Sequence, residues 1–298
     1  MDNLIFNVTD EFIGERIDKY LSMQIQGKSR SFIQGLITDK KIHINGSEVK
    51  SNYKLRKNDI INVILPEPIE LNVTAEKIDI NIIYEDEDVV VVNKEKGMVV
   101  HPAPGNYKGT LVNALLYHCG DLSGINGVIR PGIVHRIDKD TSGIVIFAKN
   151  EYIQECLIKQ MKNKQFIKKY IAIVNGNLDN LEGIINAPIA RKENSIIERC
   201  VSETGDTAIT HYKVLKRNDN FDVIECILET GRTHQIRVHF AYLGHSLLSD
   251  TLYGVSSPLI NRQALHAYEV EFIHPITKQK VKYIADIPDD FKNILKKT

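Results

Sequence analysis

Two prolines flanking a charge, Pro66-Glu67-Pro68, divide this chain. Proline has no backbone N–H to give to a helix or a sheet ladder, and its ring fixes φ. Neither a helix nor a central strand can run through the tripeptide, so it reads as a semi-rigid extended linker. The expected plan is a small domain over residues 1–65, a linker and lead-in over 66–80, and a larger domain over 81–298.

Charge separates along the same line. The chain has 38 basic and 38 acidic residues, a balance that on its own argues against a nucleic-acid partner. From Ile13 to Ile60, however, ten Lys and Arg stand against five Asp and Glu. The small module is therefore basic and the remainder acidic. The N-terminus, MDNLIFNVTDEF, lacks a signal peptide's basic start and apolar core, and no apolar run approaches a membrane span. A cytoplasmic protein with no membrane partner is expected. Cys119, Cys156, Cys200 and Cys226 form no C-x-x-C pair. They are expected to be reduced and half-buried, with no metal and no disulfide.

Within the module, Glu15 to Met23 reads as a helix with Ile17, Tyr20 and Leu21 at helical spacing. Lys28-Ser29-Arg30-Ser31 starts a second, striped by Phe32, Ile33, Leu36 and Ile37. Asn45-Gly46 between short alternating runs predicts a hairpin, and Ile60 to Leu65 a closing strand. In order and in residues (Arg16 to Leu21, Ser29-Arg30, Leu36-Ile37, Ile44-Asn45-Gly46, Asn58-Asp59) this stretch resembles the RNA-binding domain shared with ribosomal protein S-four. Lys40 stands where a turn glycine is common in that domain, and Asn58 replaces a glycine before Asp59. The resemblance implies RNA contacts from Arg16, Lys28, Arg30, Lys40 and Lys41.

In the larger domain, Ile82 to Tyr84 and the run Val89 to Val92 predict strands, the second buried on both faces. Thr110 to Leu116 reads as a helix with Leu111, Leu115 and Leu116 inward. Three segments carry chemistry. Gly132 to Gly143 (GIVHRIDKDTSG) is a charged loop between apolar strands, at Gly132 to Val134 and from Gly143 to Ala148, where catalytic groups tend to sit. Lys168 to Gly176 (KKYIAIVNG) follows a helix from Tyr152 to Lys162 striped by Ile153, Leu157 and Met161. Glu229 to His239 (ETGRTHQIRVH) predicts a helix with Thr233 as N-cap, Gly244 as stop, and Ile236, Phe240 and Leu243 inward, leaving Arg237 at the edge of that face. No G-x-S-x-G elbow, P-loop or dinucleotide fingerprint is present.

Together these blocks resemble the ribosomal large-subunit pseudouridine synthase family, and its D type, which carries an N-terminal module of this kind, most of all. Gly109 to Leu116 and Leu265-His266-Ala267 fit as well, so the resemblance spans nearly the whole chain. It implies an α+β protein: a bent, mainly antiparallel mixed sheet flanked by helices, with the cleft across its middle, plus the small α+β RNA-binding domain. It implies isomerisation of uridine to pseudouridine in large-subunit ribosomal RNA or a ribosomal precursor particle, by a monomer without cofactor.

Residue by residue, the resemblance makes Asp138 the catalytic carboxylate. Asp138 attacks the sugar or the base, or stabilises a cationic sugar, or assists its deprotonation; Asp140 is structural. Arg237 pairs with Asp138 through two hydrogen bonds and keeps it ionised. Tyr170 stacks on the uracil, its hydroxyl placed to help remove the carbon-5 proton. Arg136 fills the space of the flipped nucleotide or, in the free protein, pairs with Asp138 or Asp140. Leu265 packs the base opposite Tyr170. His135, Thr141 and His234 shape the loops rather than do chemistry, and with Arg136, Leu265 and Arg232 they belong to the substrate- and RNA-binding set that the resemblance implies. A binding protein with a dead catalytic domain and an Asp-based hydrolase are the competing classes; a hydrolase would release free base.

Overall fold

A computed structural model of the protein describes residues 2–25, 30–65, 73–102, 106–120 and 132–296. The chain divides into two compact units, Met1–Leu71 and Asn72–Thr298. The linker expected at Pro66-Glu67-Pro68 lies outside the described residues, as does Lys28. Among the described residues no helix is long and apolar enough to cross a membrane.

The first unit runs β1 (Asp2–Asn7), α1 (Ile17–Gln24), α2 (Arg30–Thr38), β2 (Ile42–Ile44), β3 (Ser47–Glu48) and β4 (Ile60–Leu65). Its sheet order is β1-β4-β2-β3. The hairpin turn is Asn45-Gly46, with φ of 50° and 81°, the left-handed pair that a tight antiparallel turn needs. Lys40 and Asn58 also take positive φ, 56° and 67°, the backbone of the glycines they replace. Ile17, Leu21, Ile33, Leu36, Ile42, Ile61 and Val63 form the unit's own core. Strand β1 has no counterpart in the sequence reading. Its apolar residues, Leu4, Ile5 and Phe6, become a strand only by pairing with β4.

The second unit begins with β5 (Asn81–Glu85), β6 (Val89–Lys94), α3 (Leu111–Cys119), β7 (Ser142–Ala148), α4 (Glu151–Lys162) and β8 (Ile167–Asn175). It continues with β9 (Glu182–Asn186), β10 (Ile189–Arg191), β11 (Arg199–Val201), β12 (Ile209–Arg217) and β13 (Phe221–Leu228). Helix α5 (Gln235–Tyr242), β14 (Leu265–Ile273), β15 (Lys280–Ile284) and α6 (Asp289–Leu295) complete it. The nine-stranded sheet is ordered β5-β6-β7-β14-β8-β13-β12-β9, with β15 beside β14. Every pairing is antiparallel except β14 with β7.

Alternation along β6 explains its valine run. Val90 and Val92 join the core that holds Leu111 and Leu115 of α3 and Ile236 and Phe240 of α5. Val89 and Val91 point the other way, to Ile153 and Leu157 of α4. Helix α3 starts at a capping box, Thr110 Oγ1 accepting from Asn113 N while Asn113 Oδ1 accepts from Thr110 N.

Several expectations need correction. Gly132 to Val134 makes one isolated bridge, Ile133 with Phe147, rather than a strand. Leu116 and Met161 are only partly buried. Leu243 is 40% exposed, because α5 turns Val238 and His239 inward instead. Cys226 is buried and the other three cysteines are intermediate, all unpaired.

Candidate active site

The site lies where β7, β14, β8 and β13 meet α5. The loop from His135 to Thr141 leads into β7, and its backbone is tied from Asp138 to Thr141. Asp138 O accepts from Thr141 N at 3.1 Å. Lys139 O accepts from Gly97 N at 2.9 Å and from Lys94 Nζ at 3.0 Å. Asp140 O accepts from Arg262 Nη1 at 3.0 Å. Thr141 is buried, its hydroxyl accepting from Gln263 Nε2. Three consecutive engaged carbonyls, at 138 to 140, hold this part of the loop and its side chains in place.

Lys94 is a group the sequence reading missed. It ends β6 with 1% of its surface exposed, and its ammonium donates to the carbonyls of Glu95, Met98 and Lys139. Burial pulls its pKa down to about 7 against the opposing pull of Asp140 and Asp138. Three carbonyls match the three N–H groups of the charged form. A lysine closing a run of valines was the available signal, since a buried cation demands partners.

On α5, Arg237 donates to Asp138 Oδ2 from Nη1 at 3.0 Å. The expected two-bond clamp on Asp138 is absent. The fork, Nε and Nη2, is engaged by Asp250 at 2.7 and 2.9 Å, and the guanidinium lies over the Tyr253 ring. Burial alone would lower the Arg237 pKa, but Asp250 and then Asp138 raise it, so it is a fixed cation. Asp250 is fully buried and was not singled out from sequence, because it reaches Arg237 only through the fold. Arg237 is thus gripped by one carboxylate and presented to another, whose side chain is 24% exposed.

Helix α5 is not capped by Thr233. His234 is the N-cap residue, left-handed at φ 59°, with no side-chain cap bond. Gln235 does the local work: its Oε1 accepts from Arg232 N and Thr230 Oγ1, and its Nε2 donates to Ile209 O and Thr210 Oγ1. Gly244 follows the helix at φ 85°, as expected of a stop. Tyr253 Oη accepts from Arg199 N and lies 2.8 Å from His234 Nδ1. The other ring nitrogen, Nε2, lies 3.7 Å from Asp138 Oδ2. Burial lowers the His234 pKa, with Asp138 opposing.

Tyr170 is 6% exposed on β8. Burial, then the Asp138 charge, pushes its phenol above the ordinary range, so it meets a substrate as a neutral ring and hydroxyl. Leu265 opens β14 and is 5% exposed. Asp138, Tyr170, Arg237, Leu265, Arg136, Thr141, Arg232 and His234 all line one cavity. At about 60 Å³ it holds a few waters, not a nucleoside. A base therefore comes in across the rim, where Arg136 and Arg232 are exposed.

Arg136 reaches neither Asp138 nor Asp140; its Nη2 is 3.5 Å from Thr233 Oγ1. Arg232 donates from Nε to Thr207 O. His135 is apart from the cavity. It accepts from Ile146 N and packs edge-on against Phe166, and burial lowers its pKa to about 3. Held there, it is not part of the cavity lining, although the sequence placed it in the substrate- and RNA-binding set.

In the first unit, Arg16 and Arg30 converge on the fully buried Asp18, joined by Gln34 Nε2. Both arginines stay roughly half exposed, at 41% and 47%. Lys40 pairs with Glu48 at the surface, and Lys41 is half-buried. These four do not form one cluster.

The RNA pseudouridylate synthase family matches residues 88–242, and the S4 domain residues 15–61. The chain is 48% identical to the uncharacterized RNA pseudouridine synthase YlyB of Bacillus subtilis (strain 168), over 99% of this chain and 98% of that one. It is 44% identical to ribosomal large subunit pseudouridine synthase D of Zymomonas mobilis subsp. mobilis, over 97% and 95%. The human RNA pseudouridylate synthase domain containing 1 shares the fold, with a TM-score of 0.57 over 76% of this chain and 87% of that chain at 24% identity. A cavity walled by the three sequence blocks, and likeness running almost from end to end, lead to one statement: this chain belongs to the RNA pseudouridylate synthase family, with an S4 domain at its N-terminus.

Proposed function

We propose that the protein isomerises uridine in large-subunit ribosomal RNA, with Asp138 as catalytic carboxylate, Arg237 as its fixed counter-ion and Tyr170 and Leu265 as walls for the base. The observation that carries this reading is the 3.0 Å contact between Arg237 and Asp138 at a cavity also lined by Tyr170 and Leu265. The reaction breaks the bond from ribose carbon-1′ to N1, turns the base within the site, joins carbon-1′ to carbon-5 and releases the carbon-5 proton. A half-exposed carboxylate beside a permanent cation serves attack on sugar or base, or support of a cationic sugar, or its deprotonation. Tyr170, held neutral, acts by stacking, and Arg136 at the rim occupies the space the uridine leaves.

The name of the Zymomonas relative favours large-subunit ribosomal RNA. In this reading residues 1–65 target the RNA, 66–80 link, and 81–298 catalyse. One chain supplies every group named, which favours a monomer, and a ribosomal substrate favours the cytoplasm.

Tritium release from large-subunit RNA transcribed with carbon-5-labelled uridine tests the reading. The parent protein is expected to release tritium without freeing base. Asp138→Asn is expected to bind RNA and lose at least about 10³-fold in rate. Substantial release by that variant removes Asp138 from the chemistry, and free uracil in the supernatant replaces the isomerase with a hydrolase.

A further inference from the structure

Lys168 and Lys169 are adjacent on β8, and only one has a partner in the protein. Lys169 pairs with Glu269 at 2.8 Å. Lys168 points to the opposite face, as strand alternation requires, and that is the face of Tyr170. Among the described residues no carboxylate pairs with Lys168 and no group accepts a hydrogen bond from it. Burial draws its ammonium down to about 8, with no nearby carboxylate opposing. Its titratable neighbour is His135, which is neutral.

A half-buried ammonium that no described protein group accepts from is left to solvent and to an incoming anion. The surroundings bear on which anion arrives. The Lys168 nitrogen stands 3.3 Å from where a Cβ on Gly231 would lie, so a side chain at 231 would crowd it. Gly231 lines a cavity of about 490 Å³ together with Arg191, Arg199, Arg232 and Asp206. Arg232 also lines the cavity of Asp138 and Tyr170. Two residues along a strand span about 7 Å, so the backbones of Lys168 and Tyr170 stand about one nucleotide's spacing apart on the same face.

We propose that Lys168 is a phosphate-binding residue of the cleft, its ammonium taking the RNA phosphodiester next to the uridine that meets Tyr170. The proposal rests on the reading of that cavity as the uridine site. The lysine stays without a protein partner because its partner arrives with the substrate.

The test is the salt dependence of binding, measured with the full-length protein and transcribed large-subunit ribosomal RNA. Each phosphate neutralised contributes about 0.7 to 0.9 to the slope of log affinity against log salt. Lys168→Met is expected to bind about tenfold more weakly at low salt, with a slope shallower by about that one increment. Lys168→Arg is expected to keep the parent slope. Lys168→Met is also expected to melt no lower than the parent, which a lysine kept for structure would not allow. A parent-like slope in Lys168→Met overturns the assignment, as does a lower melting temperature with unchanged binding. Should the Met variant fail to fold, Lys168→Gln supplies the same comparison. Lack of tritium release by the parent would count against the uridine reading alone, and the slope would still decide Lys168.

Discussion

At the scale of single residues, the site is built by placing one cation between two carboxylates that differ in exposure. Asp250 is sealed in, and it engages the two guanidinium nitrogens that form a fork. The third nitrogen is left for Asp138. Bidentate pairing fixes both the position and the plane of a guanidinium, so Asp250 sets where Asp138 finds its counter-charge. Asp250→Asn is expected to cost about 3 kcal/mol of stability, the range for breaking a buried pair. It is expected to lower kcat by about 10- to 100-fold through misplacement of Arg237, with RNA affinity nearly unchanged. Thermal melts and single-turnover tritium release measure the two effects, and an unchanged kcat would detach Asp250 from the site. Lys94 acts on the same carboxylate from behind, holding the Lys139 carbonyl one residue away.

At the scale of elements, α1 and α2 are pinned together by a buried carboxylate rather than by apolar contact alone. Asp18 lies at 0% exposure. Burial alone would raise its pKa, but Arg16, Arg30 and Gln34 outweigh it and hold the carboxyl well below the usual range. A carboxyl depressed in the folded state stabilises the protein fully above its unfolded value, near pH 4, and that stability is lost as pH falls further. Asp18→Asn is therefore expected to cost about 2 to 4 kcal/mol at pH 7, discounted because both arginines are half exposed. The gap to the parent should close as pH drops below about 4. Denaturant titrations across pH test this, and a pH-independent gap would count against an ionic role. The turn after α2 tells of a different cost. Lys40 holds φ 56°, a conformation costing a side chain about 1 to 2 kcal/mol. Its surface pair with Glu48 returns little. Lys40→Gly is expected to stabilise the first unit by about 0.5 to 1 kcal/mol, read as a higher denaturant midpoint at constant slope.

At the scale of the whole molecule, each unit has its own core. The first is closed by α1, α2 and β4, and the second by α3 and α5 on one face of its sheet and α4 and α6 on the other. Independent cores let one unit be removed without opening the other. A protein lacking residues 1–65 is expected to fold and to turn over a short hairpin at nearly the parent rate. It is expected to bind large ribosomal RNA at least about tenfold more weakly, since it lacks the basic module. Equal affinity of the two proteins for large RNA would remove the targeting role of that module.

Local chemistry made much of this protein legible in its sequence. Apolar spacing announced both helices of the first unit, α3, α4 and the valine strand, because which face is buried depends on residues a few positions apart. Asn45-Gly46 announced its turn for the same reason. The family resemblance of the blocks around Asp138, Tyr170 and Arg237, not their spacing, pointed to residues that line one cavity. What the sequence left open depends on partners far along the chain. Strand β1 forms only against β4, Asp250 and Lys94 matter only through the groups that fold onto them, and α5 begins at His234 because Gln235 reaches β12. Spacing along the chain determined the helices, the valine strand and the turn, and motif resemblance the residues that carry charge and ring. The fold alone decided which carboxylate holds the Arg237 fork and which of two neighbouring lysines is left unpaired, because those bonds join residues distant in sequence and depend on angles that only packed strands and helices set.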